Sequence, residues 1–202
     1  MSVARRISRL LRALARARKG AAAIEFAMTA PVALLMVMGL CDFAYQLYMQ
    51  AILSGAVQKA GRDSTIQNAT PATIDAQVLT LVQAANRNAA YVSGYPTRMS
   101  YAQYGYISPE PFTDSNGNGV RDPGECFTDV NGNSQWDANP GISGNGGAGD
   151  TVVYTSTMTY PRLFPTGGWM GWGKLVTISA TTILKNQPYT AQTVPTPTTI
   201  CT

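Results

Sequence analysis

Histidine is absent from the 202 residues. Its loss removes the side chain most used for proton transfer near neutral pH and the commonest transition-metal ligand. Cysteine is scarce as well, at three residues with no C-x-x-C pair, which excludes zinc-ribbon and thioredoxin-like sites. No nucleophile and base constellation stands out, so an enzyme is not expected. Charged residues make up only 13% of the chain, and their distribution matters more than their number. Seven of the fifteen basic residues (Arg5, Arg6, Arg9, Arg12, Arg16, Arg18 and Lys19) precede residue 21, and the remainder holds eight basic and eleven acidic side chains, a net −3. The basic pI therefore belongs to a leader, and the remainder offers no basic surface for a nucleic acid.

What is present begins with an apolar run. From Phe26 to Cys41 no residue is charged, and from Ala21 to Cys41 the only charge is Glu25. That length suits one helical crossing of a bilayer, which needs about 20 residues. The arginine-rich flank stays cytoplasmic by the positive-inside rule and sends everything beyond about residue 45 to the far side. Three readings compete. A cleaved secretory signal would carry small residues after the apolar stretch, whereas here "GAAA" precedes it. A plain anchor leaves Glu25 costing about 2.5 to 3.5 kcal/mol if it faces lipid as a charge. Cleavage after Gly20 would free the Ala21 amino group, and in staggered parallel helices Glu25 of one subunit could neutralise that amine on the next.

The residues "KG" followed by "AAAIEF" resemble a class III, prepilin-type signal: a basic leader, Gly20 as its last residue, Ala21 as the new terminus, Glu25 five residues in, aromatic Phe26, then an apolar helix. The stretch "GAAAIEFAMTAPVALLMVMGLCDFAYQLY" is similar to TadE-like minor pilins, or pseudopilins, of the tight-adherence system, and "LVTISATTILKNQPY" at 175–189 resembles the segment closing such proteins. The resemblance implies a single-pass protein of a bacterial inner membrane with its C-terminal domain in the periplasm, processed by a prepilin peptidase and partnered by other pilin subunits. The rival is a single-span, membrane-anchored periplasmic calcium-binding module that never joins a pilus.

The expected architecture is α+β and pilin-like, with a leader at 1–20, a transmembrane and assembly helix over 21–62 and a periplasmic domain over 63–202 carrying an insertion at 108–150. Pro31 lies inside the long helix and Gly61 marks its stop, with Phe43, Leu47, Ile52, Ala56 and Ala60 on a roughly helical spacing. Thr70 and Pro71 open a second helix running to about residue 92, with Ile74, Val78, Leu81, Val82 and Ala85 as its apolar stripe. Strands are expected at 97–107, 151–164 and 174–186 from their β-branched and aromatic content. The loop holding Trp169 and Trp172 is expected to pack both rings onto the sheet, and "GNGGAG" at 144–149 to be a flexible loop.

The insertion carries a repeat: "FTDSNGNGVRD" at 112–122 returns as "FTDVNGNSQWD" at 127–137. The first copy fits a calcium loop of EF-hand type, with Asp114, Asn116, Asn118, the Val120 carbonyl, Asp122 and Glu125 as ligands and Gly119 at the tight turn. In the second, Asp129, Asn131, Asn133 and Asp137 fit, but Ser134 replaces the glycine and Pro140 stands where the final acid belongs. Flanking prolines point to a loop without EF-hand helices, and turn formation without any metal is the alternative. An oxidising compartment allows a Cys126–Cys201 disulfide tethering the polar tail to the insertion, with unpaired cysteines as the alternative.

Overall fold

The computed structural model describes residues 19–64, 70–164, 166–169, 171–186 and 195–201. The fold is α+β. Helix α1 (Lys19–Asp63) is one unbroken element containing Pro31. Its alanine, leucine and methionine content favours a helix, and its apolar character all round is that of a helix in lipid or in a core. Over its first half the side chains are exposed: Ile24, Phe26, Met28, Val32, Met36 and Leu40 all stand free. This helix is long and apolar enough to cross a membrane.

The described residues form two compact units, one of α1 up to Gln46 with Arg162–Lys174, the other of Leu47–Pro161 with the residues from Leu175 onward. In the second unit α1 packs through Met49, Leu53, Ala56, Val57 and Ala60, all buried. The expected stripe holds at its far end, where Ala56 and Ala60 are buried, but not at its start: Phe43 and Leu47 are exposed and Met49, Leu53 and Val57 join the core. A helix apolar on every face gives no polar side from which to set its phase. Gly61 is not the stop, since the helix runs to Asp63; there the Lys59–Asp63 ion pair spans the last turn. Gly61 instead admits the opposing sheet, for a Cβ at that position would lie 3.2 Å from Cγ2 of Thr182.

Helix α2 (Pro71–Gln83) starts as expected, with Thr70 accepting from the Thr73 N–H and Pro71 in the first turn. It ends at Gln83, not near 92, because Asn86 builds a turn: its carbonyl accepts from Ala89 N–H and its side-chain oxygen from Asn88 N–H. Ile74, Val78 and Val82 are buried, whereas Leu81 is exposed.

The main sheet is antiparallel. Strand β5 (Thr151–Pro161) is central, with β6 (Leu175–Lys185) along one edge from Pro161↔Leu175 to Thr151↔Lys185. Along its other edge lie β1 (Ala90–Tyr91) and β2 (Thr97–Tyr101), and β4 (Ile142–Ser143) pairs outside β2. Strand β2 stops at Tyr101, short of the expected 107, and a 3-10 turn follows at Tyr104–Tyr106. Even-numbered residues of β5, namely Val152, Tyr154, Ser156, Met158 and Tyr160, are all buried, as are Val176 and Ile178 of β6. Odd-numbered positions carry a hydroxyl ladder, Thr155 to Thr181 and Thr157 to Ser179. Asp75 of α2 fastens to this sheet by an ion pair with Arg98 and by accepting from the Tyr154 hydroxyl at 2.9 Å. Burial, and then the neighbouring Tyr91 and Asp75, raise the Tyr154 phenol well above its ordinary pKa, so it remains a neutral donor.

A second sheet pairs β3 (Cys126–Asp129) with β7 (Thr198–Cys201), and Cys126 is disulfide-bonded to Cys201. The 144–149 glycine run is a loop, clipped by Asn186 donating to the Asn145 and Gly147 carbonyls. The loop between β5 and β6 holds α3 (Thr166–Trp169). Trp172, expected to be packed away, is exposed; the Trp169 side chain lies outside the described ones.

Candidate functional site

Two regions carry the residues singled out above. In the first turns of α1, Gly20 is helical and exposed, with nothing within 4 Å of where a Cβ would stand. The Ala21 side chain, like residues 1–18 of the leader, lies outside the described part. Glu25 is exposed on the helix and takes part in none of the ion pairs among the described residues. Beside it Phe26 is 71% exposed. Among the described residues the arrangement is an exposed apolar helix with one acid near its start that makes no ion pair.

The second region is the repeat, and here the residues converge. Asp114 folds the first loop by accepting the N–H groups of Gly117, Asn118 and Gly119 at 2.7, 3.2 and 2.7 Å. Those bonds, led by Gly119, hold its carboxyl below the ordinary aspartate pKa. Asn116 and Asn118 each donate a side-chain amide at 2.7 Å to the same oxygen of Asp122. The second loop repeats this pattern atom for atom. Asp129 accepts from Gly132, Asn133 and Ser134, and Asn131 and Asn133 both donate to Oδ2 of Asp137 at 2.8 and 2.7 Å. Gly119 has φ +77° and Ser134 has φ +62°. The turn thus demands the left-handed conformation in both copies, at a cost of about 1 to 2 kcal/mol for the serine.

Glu125 closes the first loop, its Oε1 accepting from Ser115 N–H at 2.7 Å and its Oε2 from Asp122 N–H at 2.9 Å. The second loop is closed in the same way by Glu110: Val130 N–H donates to Oε1 at 2.8 Å and Asp137 N–H to Oε2 at 3.0 Å. Pro140 is therefore not a gap, because the acid arrives from the other copy. Glu110 and Glu125 are 1% and 6% exposed. Each stands four residues before the aspartate of its own copy and serves the opposite one. A two-fold relation runs through the pair: Phe112 bridges Phe127, Thr113 N–H donates to the Cys126 carbonyl and Thr128 N–H to the Pro111 carbonyl, both at 2.8 Å. Sequence reasoning missed Glu110, although it lies fifteen residues before Glu125, the period of the repeat.

Asp114, Asn116, Asn118 and Asp122 are thus brought together, as are Asp129, Asn131, Asn133 and Asp137. The Val120 N–H donates to Asn118 Oδ1, and the side chain is exposed. Among the described residues no group of three or more His, Cys, Asp or Glu side chains is placed to hold a metal ion. A cation here would have to draw on asparagine and backbone carbonyl oxygens besides the paired acids, a set of hard oxygen donors that suits calcium.

The long helix carries a family likeness. Residues 20–62 match the model of the TadE-like protein family. The TadE-like segment begins at Gly20 and ends one residue before α1 does. Both sheets and the paired loops lie outside the match, as does the 175–189 stretch whose likeness the sequence suggested. No curated protein and no solved structure matches the chain.

Proposed function

We propose that this chain is a minor pilin-like subunit of a tight-adherence pilus or secretion system, anchored by α1 in the bacterial inner membrane and active by assembly. The carrying observation is the TadE-like match over an exposed apolar helix, with Gly20 at its first position and Glu25 five residues on. A prepilin peptidase cleaves after Gly20, freeing Ala21. Glu25 then pairs with the amino terminus of a neighbouring subunit, which offsets the cost of an acid at membrane depth, and Phe26 adds an apolar contact beside it. The remainder of the chain lies in the periplasm and meets other pilus or secretion components. N-terminal sequencing of membrane-extracted protein tests this reading: Ala21 is the expected first residue, and an intact Met1 together with normal piliation in a deletion strain defeats it. Gly20→Ala is expected to block processing, and Glu25→Ala to impair assembly while leaving insertion intact.

We also propose that the paired loops take up calcium, one ion per copy, in support of the periplasmic domain. The reading is supported by the matched oxygen sets of the two copies and by the glutamate that closes each. The inward-facing amides of Asn116, Asn118, Asn131 and Asn133 would turn to present oxygen. The few carboxylates suggest the weak extracellular regime, with dissociation constants of about 10⁻⁴ to 10⁻³ M. Absence of both a calorimetric heat and a thermal shift in millimolar calcium would sink this reading and leave the pilin reading intact.

A further inference from the structure

Asp42 is the first charge after Glu25, and it ends the uncharged run that closes at Cys41. Ala21 to Asp42 spans about 32 Å of helix, close to the roughly 30 Å thickness of a hydrocarbon core. Asp42 therefore stands where the apolar interior of a bilayer gives way to its headgroups.

A polypeptide segment is fastened at that level. Arg162 makes an ion pair with Asp42, and Leu163 N–H donates to Asp42 Oδ1 at 3.1 Å. Asp42 is buried by these contacts. The same guanidinium organises the loop behind it, donating to the Gly173 carbonyl at 3.2 Å and the Trp172 carbonyl at 3.4 Å. Arg162 N–H donates to the Lys174 carbonyl and Trp172 N–H to that of Gly167, closing the base and the turn. One arginine thus fixes both the internal shape of the loop and its height on the helix.

The loop so held points large apolar groups outward. Leu163 is 51% and Trp172 60% exposed. The Arg162 guanidinium carbon lies 6.0 Å from the centre of the Trp172 ring, and Lys174 is exposed beside them. Tryptophan with arginine and lysine, next to leucine and at the end of an apolar span, is the composition of a membrane interface. Indole rings settle at headgroup depth while an exposed lysine such as Lys174 reaches toward phosphates; Arg162 itself is engaged by Asp42 and the loop. The patch also continues the exposed apolar surface of α1 that ends at Leu40 and Phe43.

We propose that the 162–174 loop is a membrane foot, seating Leu163 and Trp172 in the interfacial layer of the bilayer that α1 crosses. The foot makes a second contact with lipid, so the chain engages the surface as well as the interior. The inference rests on α1 spanning the membrane, and the test separates the two.

The full chain, carrying Cys41→Ser, is placed in vesicles of phosphatidylcholine and phosphatidylglycerol with a nitroxide on one introduced cysteine: Leu163→Cys, Leu40→Cys or Val120→Cys. All three positions are exposed, so labels there leave the core intact. Collisions with oxygen, which enters lipid, are compared with those of a water-soluble nickel chelate. The oxygen-to-nickel ratio at 163 is expected to be several-fold above that at 120 and to approach that at 40. A lipid ratio at 40 with a water ratio at 163 overturns the foot and leaves the anchor standing. A water ratio at 40 overturns the anchor and the foot together. A label at 163 shielded from both reagents means that protein, not lipid, covers the loop, and overturns the proposal.

Discussion

The exchange of glutamates between the two loops makes a prediction that runs against sequence order. Glu110 is adjacent in the chain to the first loop, yet its carboxylate accepts Val130 N–H and Asp137 N–H of the second. Glu110→Ala removes two hydrogen bonds to a charged acceptor and leaves two N–H groups unpartnered in a buried place. Each such bond contributes about 1.5 to 3 kcal/mol. Entry of water into the space vacated by the side chain recovers part of that, so a local loss of about 3 kcal/mol is reasonable. At 1.4 kcal/mol per factor of ten this becomes roughly 100-fold faster amide exchange. The acceleration should appear in residues 129–137 and spare 114–122. Glu125→Ala should do the reverse through Ser115 N–H and Asp122 N–H. Hydrogen–deuterium exchange with peptide-level mass spectrometry resolves the two segments without needing any bound metal. If Glu110→Ala loosens 114–122 first, or both segments equally, the crossed arrangement is wrong.

The disulfide should show a graded effect. Replacing Cys126 and Cys201 by serine opens a link across 75 residues, a loss of about 4.5 kcal/mol on the chain-entropy model. Because among the described residues β7 pairs only with β3, proteolysis should reach residues 195–201 well before β5 and β6, and undiminished protection of that tail would refute this account. Ser134→Gly relieves the left-handed serine of the second loop; it should stabilise 129–137 by about 1 kcal/mol, read as slower exchange there, and faster exchange would show that the serine hydroxyl matters more than the backbone.

Much of the fold was legible because its signals are long. The charge-free run defines α1, Thr70 and Pro71 start α2, and β-branched alternation marks β5 and β6. Phase and endings were less legible. The stripe of Met49, Leu53 and Val57 was missed because apolar residues surround the helix there, and α2 stops early through an asparagine turn that leaves little trace in hydropathy. Strands β3, β4 and β7 have four residues or fewer and are lost among turn-forming neighbours; only their pairing makes them strands. The exposure of Trp172 was not foreseen, and the Arg162 that holds its loop bonds Asp42, 120 residues away in the chain, a contact no local pattern records. Glu110 escaped for a different reason. The calcium-loop pattern looks for the last acid twelve positions into each loop and finds Glu125 in the first but Pro140 in the second, whose closing acid is borrowed from Glu110, ahead of the first copy.

That borrowing constrains how such a module could arise. A chain with a single copy would own a glutamate placed to close someone else's loop and would lack one for its own. It could complete itself only against a second molecule, each lending the other an acid. Duplication turns that mutual debt between molecules into an internal one, and afterwards neither copy can be lost alone: excision of either fifteen-residue stretch would leave the survivor seeking a partner again.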